Sequence, residues 1–406
     1  MNPRWIIGLA PGSSLYGVDA VLAQVHGAGY ELAVRPVHTA HLPYPRDLRN
    51  LMLRLQTGAP TELKFVSLLH RLLGETFAVA ARLVADRASF SLQQVLCVGC
   101  PGHTVWQEPD ARYPSLFEAG MSAVVAERSG LTTVGDFRMR DLAAGGVGAP
   151  VEALADWLLF RHARESRALV HLGGTASAVF LPAGTPEQEV TGGEIGPCTL
   201  LLDSLVWHLS GGRESCDAGG KQAVQGRCLD ELLDSWLEHS WWQRRTPRSL
   251  TPAAFGDAFA AQAVKLARQQ QWERNDLLCT ATHLVARGVS MALRRARPDG
   301  KLPDRVLLSG GGVRNGFLWH LLEQQLAGTT LQKTDALGVA AEYRRALAFA
   351  VLAALTVDGV PASVPSVTGA SGARLLGSLT PGSPANWARC LGWMASQAAL
   401  GYRAAG

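Results

Sequence analysis

Residues 12–19 read Gly-Ser-Ser-Leu-Tyr-Gly-Val-Asp and follow the apolar run Trp5-Ile6-Ile7-Gly8-Leu9-Ala10. A strand that opens into a small, hydroxyl-bearing turn and resumes at Val18, Ala20, Val21 and Leu22 brings backbone close to a phosphate chain. Gly12 and Gly17 can take positive φ and carry no Cβ to clash. Ser13 and Ser14 offer hydroxyl donors, and successive backbone N–H groups form an anion-binding nest. A second segment has the same plan: Ala168–Leu172, the turn Gly173-Gly174-Thr175, then Ala178–Leu181. Taken alone it is equally a phosphate-facing hairpin or an ordinary one. A third signal is Ser309-Gly310-Gly311-Gly312-Val313-Arg314-Asn315, between a buried strand at 305–309 and a helix. Three consecutive glycines favour contact with a nucleotide over a plain turn. The segment has neither the Gly-x-Gly-x-x-Gly spacing of a dinucleotide site nor the Gly-Lys-Ser/Thr of a P-loop.

Charged candidates stand elsewhere. Asp136 and Arg138 precede the glycine-rich stretch Gly145-Gly146-Val147-Gly148. The first suits sugar hydroxyls, the second a carboxylate or phosphate held bidentately. Arg140 and Asp141 are as readily a structural ion pair. Glu194 lies between glycines in Thr191–Cys198. In a cleft it would serve as a general base; on its own the motif reads as an exposed loop glutamate.

The elements that must position these groups alternate between strand and helix, which argues for α/β lobes. Strands are expected at 5–9, 18–25, 95–99, 131–134, 168–172, 178–181 and 305–309. Helices are expected at 60–88, 116–127, 151–161, 200–209, 251–270, 278–297, 315–327 and 345–355, with a loop over 211–226. The chain has 406 residues, 47% of them hydrophobic, enough for two cores. A net charge of +4 argues against a nucleic-acid binder, and Arg244-Arg245-Thr246-Pro247-Arg248 reads as a solvated loop. No run of eighteen apolar residues and no secretory leader is visible, so a cytoplasmic protein without a membrane span is expected. Cys97 and Cys100 sit in an apolar run and read as buried thiols, not a zinc or redox pair.

Together these residues resemble the anhydro-N-acetylmuramic acid kinases, of the actin, hexokinase and heat-shock ATPase superfamily. The likeness runs through Gly12–Asp19, then Gly99-Cys100-x-Gly102-x-Thr104-Val105-Trp106-x-Glu108-Pro109, Val134–Arg138 and Gly145-Gly146-x-Gly148-Ala149-Pro150. It continues through Gly173-Gly174, Gly196-Pro197, Asp203, Gly310-Gly311-Gly312-x-Arg314-Asn315, Thr334-Asp335-Ala336-x-Gly338 and Pro365–Ala370. The resemblance implies an α/β, two-lobed actin/hexokinase-like fold with a central interlobe cleft. The first lobe would hold residues 1–130 plus about 366–406, the second 131–365. It implies a carbohydrate kinase that uses ATP and magnesium to phosphorylate the 6-oxygen of 1,6-anhydro-N-acetylmuramic acid while water opens the anhydro bridge, a step of cell-wall recycling. A homodimer is implied as well. Gly12, Ser13, Ser14, Leu15, Tyr16, Gly17, Val18 and Asp19, with Gly173, Gly174 and Thr175, would face the ATP phosphates. Gly310, Gly311, Gly312 and Asn315 would lie by the adenosine, Asp19 by the metal, and Glu194, Asp136 and Arg138 by the sugar.

Several positions depart from the family pattern. Tyr16 stands for an aspartate in the first phosphate loop, and a phenol, neutral near pH 7, is a poor magnesium ligand. Pro101 and His103 stand for histidine and glutamine, and Glu118 and Met121 for glutamine and an acid near the sugar. Glu194 stands for the aspartate that activates water, Cys198 and Thr199 for Gly-Asn, and Arg345 for a glutamate. A Lys-Ser-Thr-Gly-Arg/Lys-Glu segment is not recoverable around Arg248-Ser249-Leu250-Thr251. The substitutions gather on catalytic loops while the scaffold glycines stay. Two other readings therefore stand beside the kinase: a non-catalytic relative that binds a nucleotide or amino sugar as a sensor, and a changed reaction on the same scaffold.

Overall fold

The run after Pro3 forms β1 (Arg4–Pro11), buried at every position except Trp5, as a strand covered on both faces must be. A computed structural model describes residues 3–399 apart from 13, 57–59, 109–111, 245, 251 and 298. In it β2 (Gly17–His26) returns antiparallel to β1, with Leu9 opposite Ala20 and Pro11 opposite Val18. β3 (Ala33–Pro43) pairs antiparallel with β2, and β4 (Val95–Gly99) pairs parallel with β1. β5 (His103–Glu108) and β6 (Ser115–Ala119) form a separate antiparallel ribbon. β7 (Thr132–Gly135) lies parallel to β4.

A second sheet is built from β8 (Arg167–Leu172), β9 (Thr175–Leu181), β10 (Thr191–Pro197), β11 (Arg305–Ser309) and β12 (Thr330–Lys333). Its order is β10-β9-β8-β11-β12; the first sheet runs β3-β2-β1-β4-β7 and adds β13 (Ser378–Thr380) beyond β7. In both, a three-stranded antiparallel meander is followed by two strands parallel to its first member. The hairpin at 167–181 therefore repeats the plan of the first. The α/β class is as expected.

The chain divides into two compact units, Met1–Phe160 with Glu342–Gly406, and Arg161–Ala341. This corrects the expected boundaries at 130/131 and 365/366. β7 belongs to the first sheet because it completes the parallel run from β4. The helix Arg344–Asp358 belongs there because it lies directly on β1 and β4. A Cβ on Gly8 would stand 1.9 Å from the Ala346 carbonyl oxygen, and one on Gly99 would stand 2.2 Å from that of Phe349. That helix is buried at nearly every position.

Other expectations shift locally. The segment 116–127 is not one helix: β6 ends at Ala119, and a helix starts at Ser122 after Gly120, which has φ +130. The helix expected over 251–270 breaks at Gly256 into Pro252–Phe255 and Asp257–Gln269. Thr191–Pro197 is a strand, not a loop, because β9 supplies a full pairing edge. Arg248 is buried, not solvated. Its guanidinium donates to the carbonyls of Trp241, Trp242 and Arg244 and lies 3.9 Å from the centre of the Trp241 ring. Cys97 and Cys100 are buried thiols, as expected, and burial pushes both pKa values up. Among the described residues no helix is long and apolar enough to cross a membrane.

Candidate functional site

In the first unit the turn between β1 and β2 closes on two hydrogen bonds, Gly12 N–H to the Gly17 carbonyl at 3.0 Å and Leu15 N–H to that of Gly12 at 3.1 Å. The residue in the left-handed region is Leu15, with φ +58, and neither Gly12 nor Gly17 has a positive φ. Of the two reasons given for glycine at 17, the positive φ is corrected and the missing Cβ stands. A Cβ there would stand 2.3 Å from the Leu42 carbonyl oxygen and 2.8 Å from the His41 ring. Ser13 lies outside the described residues. Ser14 is half-buried, Leu15 and Val18 are buried, and the Tyr16 ring is 41% exposed with the Arg49 guanidinium 5.3 Å above it. Asp19 sits opposite His41 on β3 and bonds to its Nδ1 at 2.7 Å.

The same unit holds a charged cluster. Asp136 is exposed and left-handed, with φ +53, a conformation that aspartate tolerates better than most residues. Arg138 is not the open anion fork expected from its sequence position. Its Nε donates to the Gly148 carbonyl at 2.6 Å, Nη1 to Thr104 Oγ1 at 2.7 Å and Nη2 to Gln107 Oε1 at 3.2 Å. Nη1 also lies 3.5 Å from Glu118 Oε1. The opposite oxygen, Glu118 Oε2, is buried with no hydrogen-bond partner among the described residues. Burial raises the Glu118 pKa, against the pull of Arg138. Arg345 pairs with Glu152 at 2.8 Å and also feels the fields of Glu118 and Asp19. Burial would raise Glu152, but Arg345 and then Arg344 outweigh it and hold the carboxyl at about 2. His103, the first residue of β5, is 3% exposed, and burial with the nearby Arg345 charge lowers its pKa to about 4. Asp141 is likewise no partner of Arg140: it bonds Thr368 Oγ1 at 2.7 Å and the Gly148 N–H at 2.9 Å.

In the second unit Thr175 and Glu194 come together. Glu194 pairs with Ser177 across β9–β10, and the next paired residue is Gly196, so Ile195 is an extra residue in the strand. Such bulges re-aim neighbouring side chains. Glu194 is 8% exposed, which corrects its reading as an exposed loop glutamate. Its Oε1 lies 3.4 Å from Thr175 Oγ1; its Oε2 accepts from Ser249 Oγ at 3.2 Å and from the Leu250 N–H. The carbonyls of Gly173 and Gly174 accept the first N–H groups of the helix Thr199–Ser210, so this turn is tied to that helix start.

The triple glycine divides its work. Gly310 has φ +89, and its N–H donates to the Ala341 carbonyl at 2.8 Å. Gly312 packs where a Cβ would stand 2.7 Å from Leu172 Cβ. Gly311 is exposed, with open space where its Cβ would point. Asn315 serves the structure, because its Oδ1 caps the helix Gly316–Gln325 by accepting from Leu318 N–H at 2.9 Å.

The model of the family described as anhydro-N-acetylmuramic acid kinase matches residues 4–382. The chain belongs to the anhydro-N-acetylmuramic acid kinase family. It is thus a member of a family of carbohydrate kinases. It is 38% identical to the anhydro-N-acetylmuramic acid kinase of Gloeobacter violaceus over 384 residues, which cover 94% of this chain and 100% of that protein. Kinases of the same name from Acaryochloris marina and Salinibacter ruber are 34% and 35% identical, covering 92% and 94% of this chain and 99% and 97% of theirs.

The positions expected to depart from the family pattern include two groups. In the first unit Glu118, His103 and Arg345 belong to one charged cluster with Arg138 and Glu152. In the second, Thr199 donates through Oγ1 and through its N–H to the Gly173 carbonyl, both at 3.0 Å, and Cys198 is buried behind it. Ser249 bonds the candidate base. The neutral, buried hydroxyl gives no sequence signal of that contact.

Proposed function

We propose that this member of the family phosphorylates the 6-oxygen of 1,6-anhydro-N-acetylmuramic acid while water opens the anhydro bridge, giving N-acetylmuramic acid 6-phosphate for cell-wall recycling. The observation that carries the reading is Glu194: a carboxylate persists where the family has its aspartate, nearly buried and held by three protein donors. Glu194 takes the proton of the attacking water. Asp136, exposed and near enough to Glu118 for its charge to act there, accepts from sugar hydroxyls. Arg138 acts at one remove, fixing Thr104 and Gln107. The turns at 12–19 and 173–175 cradle phosphates, and the open backbone at Gly311 lies by adenosine. ATP supplies the phosphoryl group when bound. Magnesium ordinarily takes one or two carboxylates, with phosphates and water filling the rest. Asp19 provides one carboxylate, oriented by His41, so the residues fit and Asp19 would hold the ion. A homodimer in the cytoplasm rests on family grounds alone.

A second reading is favoured by one observation. Tyr16 puts a neutral, exposed phenol on the phosphate turn and leaves Asp19 as its only acidic group, shared with His41. A non-catalytic protein that binds nucleotide or amino sugar fits that arrangement. The test is phosphate transfer to the anhydro sugar by the parent and by Tyr16→Asp, with thermal shifts in ATP with and without magnesium. Activity in the parent, with a magnesium-dependent shift, is the expected result. Activity that appears only in Tyr16→Asp points to the binding protein. The absence of any shift with ATP refutes the kinase reading and leaves only a binder of amino sugar.

A further inference from the structure

Glutamate reaches one methylene further than aspartate, and a reactive group displaced by about 1 Å loses on the order of a hundredfold in rate. The structure shows where that extra length goes. The backbone of β10 aims Glu194 through the bulge at Ile195, and the carboxylate turns toward the segment 248–250. There Oε2 meets two donors, Ser249 Oγ at 3.2 Å and the Leu250 N–H. Ser249 is 1% exposed, and the segment that carries it is itself fixed. Arg248 donates to the carbonyls of Trp241, Trp242 and Arg244, and its Nε lies 3.5 Å from the Glu194 carbonyl oxygen. The other carboxylate oxygen, Oε1, makes a longer contact of 3.4 Å with Thr175 Oγ1.

We propose that Ser249 is a positioning residue: with the Leu250 N–H it holds Glu194 Oε2, so that Oε1 is the oxygen presented to the reacting water. The proposal rests on Glu194 being the base. It makes the segment around 248–250 a clamp matched to glutamate, not a degraded loop. A corollary separates it from family-based expectation. Glu194→Asp, which restores the family's residue, shortens the side chain out of the clamp's reach and lowers activity instead of raising it.

The test is a cycle of full-length variants assayed for phosphate transfer to the anhydro sugar: Ser249→Ala, Glu194→Gln, Glu194→Asp and the double variant Ser249→Ala/Glu194→Gln. Ser249→Ala is expected to lower kcat about tenfold to a hundredfold with KM little changed, the size of a hydrogen bond to a charged group. In the Glu194→Gln background the same substitution has no further effect, because its action runs through the carboxylate. Wild-type kcat in Glu194→Gln overturns the base reading, and the proposal with it. A loss in Glu194→Gln with wild-type kcat in Ser249→Ala overturns the positioning alone, as does equal loss from Ser249→Ala in both backgrounds. The same cycle read in unfolding midpoints needs no turnover. Strictly additive midpoint shifts for positions 194 and 249 would likewise refute the clamp.

Discussion

His103 is a histidine that must stay neutral, and that makes the first unit sensitive to mild acid. Its ring is 3% exposed, and burial, reinforced by Arg345, lowers its pKa from 6.5 to about 4. A histidine with a depressed folded-state value contributes stability above the unfolded pKa. That stability is lost as pH falls from 6.5 through 4, because the unfolded chain takes up the proton first. With 1.36 kcal/mol per unit, the full effect is about 3 kcal/mol. Relative to neutral pH, linkage gives about 1 kcal/mol lost at about pH 5.5 and about 2.5 at about pH 4.5. The neighbouring Glu118 works the other way. Its folded pKa is raised, so its contribution is present below its unfolded value of 4.5 and is lost as pH rises. The assay is urea unfolding of the parent and His103→Gln at about pH 7, 5.5 and 4.5. The parent should lose about 2.5 kcal/mol more than the variant across that range. Parallel pH dependence in the two proteins would refute the burial argument.

Three further outcomes are expected. Gly8→Ala places a methyl group 1.9 Å from the Ala346 carbonyl oxygen, and should lower stability by about 3 kcal/mol or more, read by thermal unfolding. Arg345→Leu strands Glu152. Because the arginine side chain is itself 31% exposed, the loss should be about 1–2 kcal/mol, discounted for solvent, and Glu152→Gln should restore most of it. Since Glu152 is held at about 2, the pair's contribution in the parent should disappear as pH falls from 4.5 toward 2. Arg248→Leu leaves the carbonyls of Trp241, Trp242 and Arg244 without that donor, and should cost about 2 kcal/mol and change the fluorescence of Trp241 and Trp242.

The two hairpins were legible because a buried strand, a glycine turn and a second apolar run leave few alternatives. β3 was not. Its edge position tolerates Pro36 and leaves most of its residues partly exposed, so the apolar signal is thin. β10 reads as a loop because Gly192, Gly193, Gly196 and Pro197 dominate it, and only pairing with β9 makes it a strand. The site was half visible. Glu194 and Asp136 are distinctive by type, whereas the role of Arg138 depends on Thr104, Gln107 and Gly148, partners drawn from 10 to 34 positions away. Asn315 and Arg248 show the converse: residue types suited to ligands are used for a helix cap and for backbone carbonyls. A hydroxyl such as that of Ser249 says nothing until the chain brings it to its carboxylate.

The glycines at 8 and 99 constrain how this family member can change. They let the helix Arg344–Asp358 rest on the main chain of β1 and β4, at a distance that no side chain could occupy. The helix can neither slide nor lift without losing that seat, so the separation between position 345 and the strand leading to the phosphate turn is set by backbone alone. What stays adjustable is the sign and reach of the groups mounted on this fixed frame. The ion pairs Arg138–Glu118 and Arg345–Glu152 are groups of this kind. Engineering this cluster should alter paired charges together while leaving the frame untouched.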